Sequence, residues 1–152
     1  MRNAMWFLLF AAVAAQAEVT VKAPWVRATV PSQKATGAFM ELVSSEDASL
    51  VSAASPVAGV VEVHSMKMEG GVMKMHAVPR LDLPAGKPVK IGPGGYHVML
   101  MDLRRQVKAG EKVPIELRIR GGDGKVQSVA VEAEVREIGA RGAMDHDHGH
   151  KH

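Results

Sequence analysis

Apolar and polar residues alternate with a period of two along most of the chain beyond residue 17. The clearest run is Pro114 to Arg120, P-I-E-L-R-I-R, in which Ile115, Leu117 and Ile119 point one way and Glu116, Arg118 and Arg120 the other. That is the signature of a half-buried β-strand. Val129, Val131, Ala133 and Val135 repeat it near the end. The alternation predicts strands over Val19–Thr29, Thr36–Ser44, Val60–Met66, Val72–Val78, His97–Leu103, Val113–Arg120 and Val126–Arg136. Turn-forming clusters punctuate them at Pro84-Ala85-Gly86, Pro93-Gly94-Gly95 and Gly121-Gly122-Asp123-Gly124. The last of these, set between two alternating runs, predicts a hairpin. No segment carries a convincing helical period. Many short strands with frequent turns predict an all-β, antiparallel β-sandwich or barrel.

The two ends of the chain break this pattern. Arg2 followed by M-W-F-L-L-F-A-A-V-A-A at Met5 to Ala15 has the charged and apolar regions of a secretory signal. Ala15-Gln16-Ala17 fits the small-x-small cleavage rule, so residues 1–17 read as a signal peptide and the mature chain is expected to start at Glu18. The apolar run is shorter than the roughly 20 residues needed to span a bilayer, so no stable membrane insertion is expected after cleavage. At the other end the fold should stop near Ile138. Residues 139–152, G-A-R-G-A-M-D-H-D-H-G-H-K-H, have almost no apolar content and are expected to form a flexible tail.

Composition adds three facts. The chain has no cysteine, which fits an exported protein and excludes a disulfide or an acylated lipobox. It has ten methionines, an unusual number for 152 residues. The net charge of +3 comes from scattered residues with no basic cluster, so nucleic-acid binding has no support. A monomer with a single core is expected.

The methionines fall beside histidines. Glu62 to Met75 reads E-V-H-S-M-K-M-E-G-G-V-M-K-M, and P-G-G-Y-H-V-M-L-M follows at Pro93 to Met101. On a strand, residues i and i+2 share a face. His97 and Met99 therefore project together, with Met101 two further on. Met73 and Met75 share a face, as do His64 and Met66. Val98 and Leu100 are left to enter the core. Methionine is often plain core filler, and a lone histidine is more often structural than a ligand. Two histidines and several methionines on strands of a cysteine-free chain point instead to a soft cation, Cu(I), which accepts thioether sulfur without a thiolate. Four more histidines, His146, His148, His150 and His152, alternate in the tail among carboxylates, a set that suits Cu(II), Ni(II) or Zn(II).

The spacing His64, ten residues, Met75, twenty-one residues, His97, one residue, Met99 resembles the His-x10-Met-x21-His-x-Met signature of the PCuAC family of periplasmic copper chaperones. Flanking words are similar too: Glu62-Val63-His64, Gly71 to Met75, Pro84-Ala85-Gly86, Pro93 to Leu100, and Trp25-Val26-Arg27-Ala28. The likeness spans roughly Glu18 to Ile138. It implies a cupredoxin-like, Greek-key β-sandwich, periplasmic location, and His64, Met75, His97 and Met99 as Cu(I) ligands. It further implies delivery toward the Cu-A centre of cytochrome c oxidase, directly or with a Sco-type thiol protein as partner. On this reading copper is cargo. The tail would capture Cu(II) near the core site. A periplasmic copper buffer without a dedicated acceptor is the alternative.

Redox and hydrolytic functions find little in the chain. A blue-copper carrier needs a Cys thiolate, and no cysteine exists. No Ser-His-Asp order or paired-carboxylate motif supports hydrolysis. The protein is expected to bind and transfer, not to catalyse.

Overall fold

A computed structural model describes residues 17–92 and 95–137. The expected signal segment up to residue 16 and the His-rich tail, with His146, His148, His150 and His152, lie outside the described residues. Ten strands occur among those described: β1 Val19–Arg27, β2 Ala35–Ser44, β3 Ala48–Ala54, β4 Ala58–Glu69, β5 Val72–Ala77, β6 Leu81–Leu83, β7 Val89–Ile91, β8 His97–Leu103, β9 Lys112–Gly121 and β10 Val126–Arg136.

The all-β expectation holds. The hydrogen-bonded order is β5-β4-β8-β2-β1-β10-β9-β3-β6, with β7 pairing β2 off this path. Neighbours such as β4 and β8, β8 and β2, or β3 and β9 are far apart in sequence, as a Greek-key crossover pattern requires. Strands from both ends of the path bury side chains in one shared core, as a sandwich requires. Val26, Ala38, Met40, Val63, Val98 and Leu100 from one half share a core with Leu50, Leu83, Val113, Ile115, Leu117, Ile119 and Val135 from the other.

Alternation explains which residues reach that core. On β8, Val98, Leu100 and Leu103 are buried, while His97, Met99 and Met101 are half-buried on the other face. On β9, Val113, Ile115, Leu117 and Ile119 are buried between exposed neighbours. The β9–β10 hairpin forms at Gly121–Gly124 with Arg120 opposite Val126, as the turn residues predict. The β4–β5 hairpin turns on Gly70 (φ 55°) and Gly71 (φ 79°), with Glu69 opposite Val72. Positive φ at both central residues is the tight hairpin geometry that glycine adopts without strain.

Two features differ from the sequence reading. β1 and β10 run parallel, with Trp25 opposite Glu134 and Val26 opposite Val135. No local turn joins these strands, so nothing in either one encodes their relative direction; packing of the two halves sets it. Strands β3, β6 and β7 also lack a period long enough to announce them. β6 and β7 are three residues each, and β3 is built largely of Ala and Ser.

The edge of the described chain is tied down. Ala17 is buried, and its carbonyl accepts from Gln127. The Glu18 N–H donates to Ser45 Oγ at 2.8 Å.

Candidate metal centre

Strand register assembles the site. His64 on β4 lies directly opposite His97 on β8. Met99 lies opposite Glu62 on β4 and opposite Gly37 on β2. On the other side of β4, His64 is opposite Ala77 and Met66 is opposite Met75. Directly paired residues and their i±2 neighbours share a face. Glu62, His64, Met66, Met75, His97 and Met99 therefore sit together on the outer face of the sheet, away from Val63, Val98 and Leu100. The four residues singled out by spacing are brought onto one face of three adjacent strands. Met73 and Met101 share it; His76, opposite Ser65, is on the reverse face.

The histidines carry unused nitrogens. His64 Nε2 is 2.9 Å from Glu62 Oε2. A carboxylate only accepts, so in the neutral imidazole the proton sits on Nε2 and Nδ1 keeps its lone pair. That Nδ1 is buried with no hydrogen-bond partner, as is His97 Nε2. Buried polar atoms without partners are costly, and two of them on directly paired residues call for a shared ligand. The Glu62–His64 contact is the arrangement in which a carboxylate orients a metal-bound imidazole.

Neighbouring side chains tune His97. Its ring meets the Phe39 ring edge-on, with centroids 5.6 Å apart. Trp25 packs on Phe39 at 4.7 Å, and the Arg27 guanidinium lies 5.8 Å from the Phe39 centroid. Phe39 is nearly fully buried under these partners. Gly37 is part of this fit: a Cβ there would meet the Phe39 ring at 2.8 Å. Burial, then the Arg27 charge, then His64 hold the His97 pKa below the usual histidine value. His97 is thus neutral and able to donate a lone pair at neutral pH.

The donor set decides what fits. Among the described residues no group of three or more His, Asp or Glu is placed to hold a metal. Hard cations and zinc are poorly served. Two imidazole nitrogens beside exposed or half-buried thioethers suit a soft monovalent ion. The spacing in the sequence singles out the histidines and methionines but not Glu62, Phe39 and Arg27 as parts of the site. Glu62 had a signal, since it stands two residues before His64 on one strand. The aromatic cover had none, because it arrives from β1 and β2.

Fold and site together define an all-β domain with a His/Met face on the outer side of its sheet. The fold is that of PCuAC domains. The structure titled "Copper-bound PCuAC domain from PmoF2" superposes with a TM-score of 0.64 at 21% identity, covering 78% of this chain and 92% of that one. Apo-DR1885 from Deinococcus radiodurans is 36% identical with a TM-score of 0.56, covering 83% of this chain and 86% of that one. The chain belongs to the LpqE-like family, whose description reads "Putative lipoprotein LpqE-like" and whose model matches residues 19–135. Within the curated relatives, "Putative lipoprotein Lxx21020" of Leifsonia xyli subsp. xyli (strain CTCB07) is 32% identical over 114 residues, covering 74% of this chain and 68% of that protein. This chain itself contains no cysteine.

Proposed function

We propose that the protein is an exported copper chaperone that carries Cu(I) on His64, Met75, His97 and Met99. The observation that carries this reading is the direct pairing of His64 with His97, each with a buried, unpartnered ring nitrogen. Support comes from a relative 36% identical to this chain whose solved form is titled "CuI-DR1885". Imidazole and thioether donors bring no charge of their own, so the ligands do not cancel the single positive charge of the cargo; the Glu62 carboxylate beside His64 is the nearest counter-charge on that face. Thioethers and imidazoles hold Cu(I) less firmly than thiolates, so a thiol-bearing acceptor can draw it onward. The Cu-A subunit of cytochrome c oxidase, or a Sco-type protein before it, is the acceptor of this type that we favour.

The domain plan follows the same reading. Residues 1–17 direct export to the periplasm and are removed, 18–138 form the copper domain, and 139–152 add a second capture site. His146, His148, His150 and His152 supply the nitrogen donors that Cu(II) prefers. Binding and transfer, rather than catalysis, is the activity. The test is competition for Cu(I) with a colorimetric chelator, with X-ray absorption to read the donors. One tight equivalent per chain with mixed nitrogen and sulfur scattering is expected. Failure to compete would leave the domain a metal-free interaction module.

Protons compete for the two imidazoles but not for the thioethers. The depressed pKa of His97 postpones its protonation, so Cu(I) affinity should hold near neutral pH and fall in the acid range. Once His97 is protonated in the metal-free protein, its displacement alone should give a fall of about 10-fold per pH unit, since one proton is then released per ion bound. A chelator competition run from pH 7.5 downward checks this; a flat profile to about pH 4 would exclude imidazole ligation.

Glu62→Gln tests the orienting carboxylate. An amide can donate to His64 Nε2 as well as accept, so the tautomer that frees Nδ1 is no longer enforced. Cu(I) affinity should drop at least about 10-fold with the fold unchanged. Long-range nitrogen NMR of His64 should show the Nδ1–H form appear in the metal-free protein. Unchanged tautomer and affinity would remove Glu62 from the site.

A further inference from the structure

The β4–β5 hairpin carries more sulfur than one four-ligand site uses. Met66 is directly opposite Met75, and two positions along, Met68 is directly opposite Met73. These two rungs lie on the face that bears His64. The positions between and beyond them, Lys67 opposite Lys74 and Ser65 opposite His76, lie on the reverse face. There Glu69 pairs with His76 at 3.0 Å and Lys74 at 3.9 Å. The hairpin is therefore two-sided, with thioethers on one side and charges on the other.

These methionines are not core filler. Met68 is 66% exposed, Met73 47% and Met75 42%. β5 is the outermost strand of the sheet path, and every residue from Val72 to Ala77 is exposed. A contiguous row of large apolar side chains in solvent marks a site of interaction rather than packing. Its chemistry is narrow: uncharged, soft sulfur donors, held in pairs by a glycine-turned hairpin of fixed register. Directly opposed side chains have Cβ atoms about 5 Å apart. The three rotatable bonds of methionine let neighbouring sulfurs converge on one ion. Successive rungs on one face are about 7 Å apart. The ladder thus runs in two short steps from the hairpin tip to the level of His64 and His97.

We propose that Met68 and Met73, with Met66, form a second site for a soft monovalent cation, and that this site passes its ion to Met75 and the paired histidines. The second half of the proposal rests on the Cu(I) reading of the core site; the first half stands on the ladder alone. The transfer is ligand exchange: one thioether leaves as the next binds, the ion keeps its single charge, and no electron or proton moves.

The test uses the full chain with 13C-labelled methionine methyls, titrated with Ag(I), a redox-inert d10 ion. Methyl resonances are assigned by single substitutions. The Met75 and Met99 methyls should move in a first step, and those of Met68 and Met73 in a second. Met68→Leu with Met73→Leu, both at exposed positions, should lose the second step and keep the first, with an unchanged backbone spectrum. If Met75 and Met99 move while Met68 and Met73 stay fixed past saturation, the ladder site is refuted and the core reading stands. If Met68 and Met73 move while Met75 and Met99 do not, the core reading fails, and the hand-over with it. If none moves, both are wrong.

Discussion

Alanine at both His97 and Met99 should abolish tight Cu(I) binding and leave the fold standing. The two residues are neighbours on one face of β8, and His97 is paired with His64 across to β4. Removing one nitrogen and one sulfur leaves two donors on separate strands, which cannot enclose an ion. Loss of an orienting residue beyond the ligands typically costs 10–100-fold in affinity; loss of two ligands should exceed about 100-fold. The fold should survive because neither side chain faces the core. Val98 and Leu100, which do, are untouched and fully buried. Chelator competition measures the loss, and circular dichroism monitors the strands. Equal binding by the variant and the parent would show that this Met/His face is not the site.

Leu100→Ala should have the opposite character: a large loss of stability with the donors intact. Leu100 is fully buried, opposite Val61 on β4 and Thr36 on β2. Truncation of a buried leucine removes transfer energy and leaves a cavity, at a cost of about 2–5 kcal/mol. A domain of this size is stable by about 5–15 kcal/mol in total, and without cysteine it has no disulfide in reserve. The urea midpoint should fall sharply with little change in slope. Cu(I) should partly restore it, since an ion that binds the folded state alone stabilises by mass action. A loss below about 1 kcal/mol would mean that the layers behind the site can collapse around the gap.

The contrast between these two substitutions, one residue apart, follows from the pleat. Alternation along β8 is legible in the sequence: the run His97–Leu103 has the observed boundaries, as does Val126–Arg136. The same rule correctly separated His97 and Met99 from Val98 and Leu100. It was less informative where residues are small or runs are short. The Ala48–Ala54 strand offers few large apolar positions, and three-residue strands such as Leu81–Leu83 have no period to detect. β4 runs on to Glu69, beyond the expected Met66, because the two-glycine turn keeps it paired with β5 to the tip.

By itself the sequence determined the all-β class, the hairpin turns, the face to which each donor belongs, and the soft character of those donors. These are properties of single strands: a period of two, a glycine at positive φ, a side chain's own chemistry. The tertiary structure alone decided that His64 stands opposite His97, that β1 runs parallel to β10, and that Phe39, backed by Trp25 and Arg27, packs edge-on against the His97 ring. Those pairings join strands distant in the chain. They are selected by how two curved layers bury one shared core, and no local pattern records that choice.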